Sequence, residues 1–275
     1  MAFPMFSIIV VSLNAGEKLL ETIESIREQT IGDYEVVVKD GGSKDGCVDM
    51  LRHKMLGFDG AMRSRIRIFE EKDSSIYDGM NQAVAKATGK YLYFLNCGDY
   101  FYRETVLEEV TREIEKNRDG SKIFYGDIYE VLRGNVVASN PKINGFACYR
   151  NVPCHQACIY DRELFAERGY EPKYRVRADY EHFLYSFYKK DAKPVYMPLV
   201  MASYEGGGFS EKAENRKKSA KEHKEITTLY MSTAKRFKYR AALLLTLAPL
   251  RTKIAENPKM ARYYNELKDL IYRKK

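Results

Sequence analysis

Phe6 to Leu13 (FSIIVVSL) is a nearly unbroken apolar run rich in β-branched residues. That is the pattern of a strand buried on both faces, as in a parallel sheet. Asn14, Ala15 and Gly16 interrupt it, and Glu17 to Gln29 then brings Leu19, Leu20, Ile23 and Ile26 onto one helical face. Tyr34 to Val38 (YEVVV) predicts a second strand, closed by Asp40-Gly41-Gly42-Ser43. A helix follows from about Asp45 to Leu56, then a turn around Gly57 to Gly60, and a third strand at Ile66 to Phe69 (IRIF). Ser75 to Ala87 reads as a helix ending at Gly89, and Lys90 to Leu95 (KYLYFL) as a fourth strand ending at Asn96-Cys97-Gly98-Asp99. Strand and helix alternate, so a right-handed, mostly parallel α/β sheet is the economical solution.

Beyond Asp99 the pattern predicts a helix from about Arg103 to Asn117 and two strands, Lys122 to Leu132 and Asn135 to Ser139, around a turn at Arg133-Gly134. Lys193 to Ser203 is apolar and extended, Gly206-Gly207-Gly208 is a flexible stop, and charged helix begins at Glu211. Asn14, Asp40, Asp73 and Asp99 all fall at or just past carboxyl ends of strands. Asn and Asp are common loop residues. Open α/β sheets, however, bind ligands at that edge, and four such residues on one edge favour a nucleotide-sized site.

Composition narrows the class. The chain has 275 residues, 45% hydrophobic and 31% charged, which excludes a disordered or collagen-like chain. No stretch approaches the ~20 apolar residues of a membrane span; Ala241 to Leu250 is interrupted by Thr246 and Pro249. The start, MAFPMFSIIVVSL, lacks a basic region and reads as a strand rather than a signal peptide. Five dispersed cysteines suit free thiols in a reducing, cytoplasmic setting. Residues 211–275 hold 18 Lys and Arg against 7 Asp and Glu, whereas residues 1–210 hold 28 against 31. The net charge of +8 therefore arises entirely in the last quarter, and the larger part carries no nucleic-acid footprint.

The segments SIIVVSLNAGEKLLETIESIREQT, YEVVVKDGGSKDG, EEKDSSIYDGMNQAVAKATGKYLYFLNCGDYF, PCHQACIYDRELF, RVRADYEHFL and EGGGFS, in that order, resemble a family 2 glycosyltransferase of the GT-A fold. The LNxGD form of the metal motif, with HQA and ADY downstream, is similar to the branch that includes colanic-acid-type exopolysaccharide transferases. The resemblance covers roughly residues 6–210. It implies a GT-A domain over 1–210, with a donor half to about 102 and an acceptor half beyond, followed by a basic helical extension over 211–275. It also implies the reaction: a sugar passes, with inversion, from a nucleotide-sugar donor, a UDP-sugar in most of the family, to a hydroxyl of a glycan or lipid-linked acceptor. Such chemistry needs a recess for the nucleoside, a divalent cation on the diphosphate and a carboxylate base beneath the acceptor hydroxyl.

Residue by residue, Val11, Ser12 and Asn14 match the family's nucleoside-cradling strand end, and Asp40 the acid that meets the pyrimidine ring. Asp40 could also simply form the turn before Gly41, and Asp45 reads as a helix cap. Asp73, Asp78 and Asn81 match the segment under the donor, with Asp78 and Asn81 three apart on one helical face. An acid at a helix start also suits the helix dipole. Asp99 matches the last acid of the metal motif, expected to hold Mg²⁺ or Mn²⁺. Gly98 stands where the family usually has an acid, so one ribose or metal contact is either missing or replaced by Asn96 or water. His155 and Gln156 match an HQ pair on the acceptor side. Asp179 matches the catalytic base, with Glu181 as competitor and an N-cap as its structural alternative. His53, His182 and His223 lie outside any motif and are expected to be solvated.

The tail pattern Ile226, Leu229 or Tyr230, Thr233 or Ala234, Phe237, Ala241, Leu244 and Ala248, flanked by Lys235, Arg236, Lys238 and Arg240, predicts one basic amphipathic helix. Such a helix lies on an anionic membrane, here the inner face of the plasma membrane, or packs on protein, including a second copy in a homodimer. A chain cut near Glu211 is expected to keep the donor site. Two readings of function stay open: an active transferase, or a scaffold with the fold but without the chemistry, which Gly98 alone favours.

Overall fold

The structure, a computed structural model, describes residues 3–117, 119–120, 122–206 and 213–245. The first half alternates β1 (Phe6–Ser12), α1 (Lys18–Arg27), β2 (Tyr34–Asp40), α2 (Cys47–Met55), α3 (Gly60–Arg65), β3 (Ile66–Glu70), α4 (Ile76–Lys86) and β4 (Tyr91–Phe94). Every residue of β1, β2 and β4 is buried, as in strands covered on both faces, the polar Ser7, Ser12, Glu35, Lys39 and Asp40 included. β3, β2, β1 and β4 pair in parallel in that order, with Ser12 beside Asp40 and Asp40 beside Glu70 at the carboxyl edge.

The second half turns the sheet. β5 (Tyr100–Phe101), α5 (Val106–Lys116), β6 (Lys122–Glu130), β7 (Asn135–Val137), α6 (Gly145–Arg150), β8 (Cys158–Asp161), α7 (Ala178–Lys189) and β9 (Lys193–Tyr204) follow. β8 pairs antiparallel with both β4 and β6, β9 runs parallel to β6, and β5 closes antiparallel on β9. β7 adds a short hairpin arm to β6. The sheet is thus parallel in its first half and mixed in its second. Leu19, Ile23 and Ile26 of α1 pack with Phe6, Ile8 and Val10 in the main core.

Three expectations are corrected. The turn around Gly57 to Gly60 leads into the helix α3, whose start is capped by Asp59 accepting the Met62 N–H at 2.8 Å. Six residues are too few to show a helical period. His182 is fully buried rather than solvated, stacked on Phe165 at 3.9 Å between ring centroids, and burial drives its pKa down to about 3. His223 is half-buried on the Tyr149 carbonyl at 2.8 Å, while His53 is exposed as expected.

The tail forms two helices, not one: α8 (Ala213–Tyr230) and α9 (Thr233–Leu245), broken at Met231 and Ser232. Ala248 and the rest of 246–275 lie outside the described residues, as does most of the GGGFS segment. Composition changes at 210/211, but the chain divides into compact units further on, between Ile226 and Thr227 within α8. Ile226, read from sequence as part of the apolar face of the tail helix, is fully buried. A cut near Glu211 would therefore remove Ser219, Glu222 and Ile226, which are buried parts of the first unit.

Candidate functional site

The carboxyl ends of β1 and β2 build one wall. The Gly41 N–H donates to the Ser12 carbonyl at 2.8 Å, and Asn14, in the left-handed region at φ +49°, accepts the Lys44 N–H at 2.9 Å on its side chain. The Asn14 N–H donates to Ser43 Oγ at 2.7 Å, so Asn14 ties the first loop to the second. Asp45 accepts the Gly16 and Cys47 N–H groups and so holds the loop, but it stands one residue before the N-cap position of α2, which is Gly46. Asp40 is buried, and its carboxylate accepts from Gly42 N (2.8 Å), Ser43 N (2.7 Å) and Ser43 Oγ (2.5 Å). In this structure Asp40 holds the turn.

Asp73 pairs with Lys39 at 3.0 Å, and Lys39 is buried, its ammonium also donating to the Asp40 and Glu71 carbonyls. A buried ammonium is stable only with such partners. A Cβ on Gly41 would lie 2.7 Å from Asp73 Oδ2, and one on Gly79 3.0 Å from that oxygen and 3.7 Å from Val11. Glycine thus lets Val11, Asp73 and the start of α4 converge.

Asp78 and Asn81 share a helical face but serve different ends. Asp78 accepts from Ser74 N and Oγ (2.8 and 2.9 Å), while Ser75 caps the helix, and the Ser74 hydrogen bonds hold the Asp78 carboxyl below its ordinary pKa. Asn81 grips the backbone of Tyr170 on both sides, accepting its N–H and donating to its carbonyl at 2.8 Å each. These contacts give both residues structural work, independent of any donor.

β4 delivers Asp99. The Asp99 N–H donates to the Asn96 carbonyl at 2.9 Å, across a turn in which Gly98 takes φ +90°. Side chains rarely adopt that conformation, so glycine here is a backbone requirement. Thr22 fixes the turn by accepting the Gly98 N–H (3.0 Å) and donating to the Asp99 carbonyl (2.9 Å). The Asp99 carboxyl is 8% exposed and accepts one hydrogen bond, from Gln156 Nε2 at 3.0 Å. Burial pushes its pKa up to about 7 against that hydrogen bond. The Asn96 side-chain oxygen is buried without a partner among the described residues.

The other wall comes from residues 154–181. His155 is buried against Phe94 and Tyr170, and neither ring nitrogen has a partner among the described residues. Burial lowers its pKa, with nearby Asp179 pulling the other way, so the ring is neutral near pH 7. Asp179 sits in the first turn of α7, half-buried, with Oδ1 accepting the Tyr77 hydroxyl at 2.8 Å. Tyr77 also donates to the Val176 carbonyl at 3.2 Å, and burial followed by the Asp179 charge raises its pKa far above normal, keeping it a proton donor. Glu181 is buried in a two-pronged ion pair with Arg168 (2.8 and 3.0 Å) and cannot compete as base. Tyr77 was missed from sequence. It lies inside EEKDSSIYDGMN, but only the fold brings its hydroxyl to Asp179.

A divalent cation fits this site in one form. Among the described residues no three His, Cys, Asp or Glu side chains gather as a protein cage would need. Asp99 is, however, a buried acid whose ionised form is penalised, the situation a cation relieves. Mg²⁺ is commonly held by one or two carboxylates, with phosphates and water completing the shell. Asp99 can supply that one carboxylate.

The sequence profile described as Glycosyl transferase family 2 matches residues 7–168. This chain belongs to glycosyl transferase family 2. It is 36% identical over 212 residues to a "PGL/p-HBAD biosynthesis glycosyltransferase" of Mycobacterium bovis, covering 76% of this chain and 80% of that one. Among solved structures it is similar to residues 1–349 of S. aureus TarS in complex with UDP, with a TM-score of 0.66 at 17% identity, covering 87% of this chain and 70% of that one. It spans 42% of a longer TarS chain. It is also similar to the mannosyltransferase PcManGT from Pyrobaculum calidifontis in complex with GDP-Man and Mn²⁺, with a TM-score of 0.63 at 15% identity, covering 98% and 86%. At such identities these structures speak for the GT-A fold. The family profile ends before Asp179, so the family match itself does not reach the acid on α7.

Proposed function

We propose that this glycosyltransferase moves a sugar from a nucleotide-sugar donor to an acceptor hydroxyl with inversion at the anomeric carbon. The observation that carries the proposal is the pairing of two unlike acids. Asp99 is buried and hydrogen-bonded to Gln156, and Asp179, near the adjacent His155, is half-open and oriented by Tyr77. One acid suits the diphosphate end of a donor, the other an attacking hydroxyl.

In this mechanism Asp179 takes the hydroxyl proton through Oδ2 while Tyr77 holds Oδ1. The acceptor oxygen bonds to the anomeric carbon as the bond from that carbon to the diphosphate oxygen breaks, and the diphosphate leaves with the electron pair. Asp99 is the residue that would hold Mg²⁺ or Mn²⁺, which would offset charge on the departing diphosphate. Val11, Ser12, Asn14, Asp40 and Asp73 would line the nucleoside and sugar side, Asn96 the ribose or cation, and neutral His155 the acceptor side. UDP is the nucleotide favoured by the family resemblance. The left-handed backbone at Gly98 gives glycine a reason there other than lost chemistry, which supports an active transferase over a scaffold.

A glycan or lipid-linked acceptor fits the family. No helix among the described residues is long and apolar enough to cross a membrane. α9 exposes Phe237 (77%), Leu244 (59%) and Leu245 (85%), and Lys235, Lys238 and Arg240 are exposed on the same helix. That combination supports a resting place on an anionic lipid surface.

The test is a panel of nucleotide sugars assayed with Mn²⁺ for release of nucleoside diphosphate, on the parent and on Asp179→Asn. Turnover should fall by ~10²–10⁴, the typical share of a general base, with donor affinity nearly unchanged. Parental turnover in Asp179→Asn would remove Asp179 as the base.

A further inference from the structure

α7 carries Asp179 in its first turn, yet Arg177, at its N-cap position, makes no capping side-chain hydrogen bond. The first amides of a helix are unpaired and need an acceptor. The segment that leads into the helix, ending at that N-cap residue, is held instead from far along the chain. Glu222 of α8 accepts the Arg175 N–H on Oε1 at 3.0 Å and the Val176 and Arg177 N–H groups on Oε2 at 3.0 and 2.9 Å. Its side chain is buried. Ser219, one helical turn earlier, accepts Arg177 Nε at 2.7 Å, and Glu225 accepts the Tyr174 hydroxyl at 3.0 Å. One face of α8 therefore clamps residues 174–177.

The opposite side of the same segment is held by the partner of the base. The Val176 carbonyl accepts from Tyr77, whose hydroxyl also donates to Asp179. The Val176 residue is thus gripped at its N–H by Glu222 and at its carbonyl by Tyr77. We propose that Glu222 is a positioning residue for the transfer reaction: from α8 it sets the backbone that aims Asp179. The proposal rests on the reading of Asp179 as the base. Glu222 lies beyond residues 7–168, the part matched by the family profile.

Glu222→Gln preserves volume but replaces one acceptor oxygen with an NH₂ that faces backbone donors. In the full chain we expect faster amide exchange over residues 174–181 and nucleotide affinity, measured with UDP or GDP plus Mn²⁺, within about twofold of the parent. We expect kcat lower by about 10- to 100-fold, the scale of a small misplacement of a reacting group, on the nucleotide sugar the parent turns over best. Glu222→Asp, which keeps the charge but withdraws the carboxylate, should also lose kcat, and serves if the Gln variant does not fold. The double variant with Tyr77→Phe should lose less than the product of the single losses, because both act through one segment. Parental kcat in both Glu222 variants, unchanged exchange over 174–181, or losses that simply multiply would each overturn the proposal. The two readings separate cleanly. If Asp179→Asn is inactive while the Glu222 variants are parental, only this inference falls. If Asp179→Asn is parental, the assignment of the base falls first.

Discussion

Asp99→Asn should stabilise the nucleotide-free protein while abolishing its cation-dependent nucleotide binding. The Asp99 carboxyl titrates at about 7 in the fold instead of the ordinary 3.8, chiefly because it is buried. Each tenfold change in proton affinity corresponds to ~1.4 kcal/mol. The sign follows from a raised carboxyl pKa. Below pH 3.8 both folded and unfolded chains hold the proton, and the group costs nothing. As pH rises from 3.8 to 7 the unfolded chain gives up its proton first, so stability is progressively lost, and the loss is complete above 7. The cost is about 2 kcal/mol at pH 5 and about 4 kcal/mol at pH 8. Asn does not ionise, nearly matches the volume, and can still accept from Gln156. Urea unfolding of parent and variant in EDTA from pH 5 to pH 8 measures the gap, which should widen by about 2–3 kcal/mol in the variant's favour. UDP plus Mn²⁺ should raise the parent's midpoint and leave the variant's unchanged. A gap that does not change with pH would refute the burial argument, and undiminished Mn²⁺-dependent UDP binding by the variant would remove Asp99 from the site.

Gly98→Ala should destabilise the fold by about 1–2 kcal/mol, the cost of a left-handed conformation for a side-chain-bearing residue, and weaken nucleotide binding as the Asp99 turn shifts; urea unfolding and calorimetry would show both. Truncation should depend on where the chain is cut. Ending at residue 210 removes three hydrogen bonds to the Glu222 carboxylate, each worth about 1.5–3 kcal/mol, so Tm should fall by about 10 °C or more. Ending at Tyr230 keeps them, so Tm and UDP affinity should match the full chain, while retention on anionic vesicles at low salt should drop.

β1 and β4 were legible because a strand buried on both faces writes itself as a largely apolar run, and β2 and β3 because short β-branched or aromatic stretches are bounded by turn residues. Their order predicted that Asn14, Asp40, Asp73 and Asp99 follow carboxyl ends of strands, without any knowledge of contacts. The Asp45 contact at the start of α2 was partly local, since one of its donors, the Cys47 N–H, lies two residues ahead, while the other, the Gly16 N–H, comes from the first loop. α3 escaped because six residues show no period, and its signal, Asp59 before a short polar helix, is weak. Hydrogen-bond partners distant in sequence were not legible at all. Lys39 sits at the end of YEVVVKD as an ordinary charged strand terminus, and only the Asp73 carboxylate and two carbonyls make its burial tolerable. Glu222 is one acid in a run of charged helix, indistinguishable by composition from its solvated neighbours. Tyr77, Glu222 and the pairing of β8 with β4 depend on how elements meet across the sheet, and no local pattern encodes that meeting. Sequence therefore determined which residues could be acids at a nucleotide-sized edge. The tertiary structure decided which acids hold turns, as Asp40 does, which is buried on a single glutamine, as Asp99 is, and which stays half-exposed on a tyrosine hydroxyl, as Asp179 does.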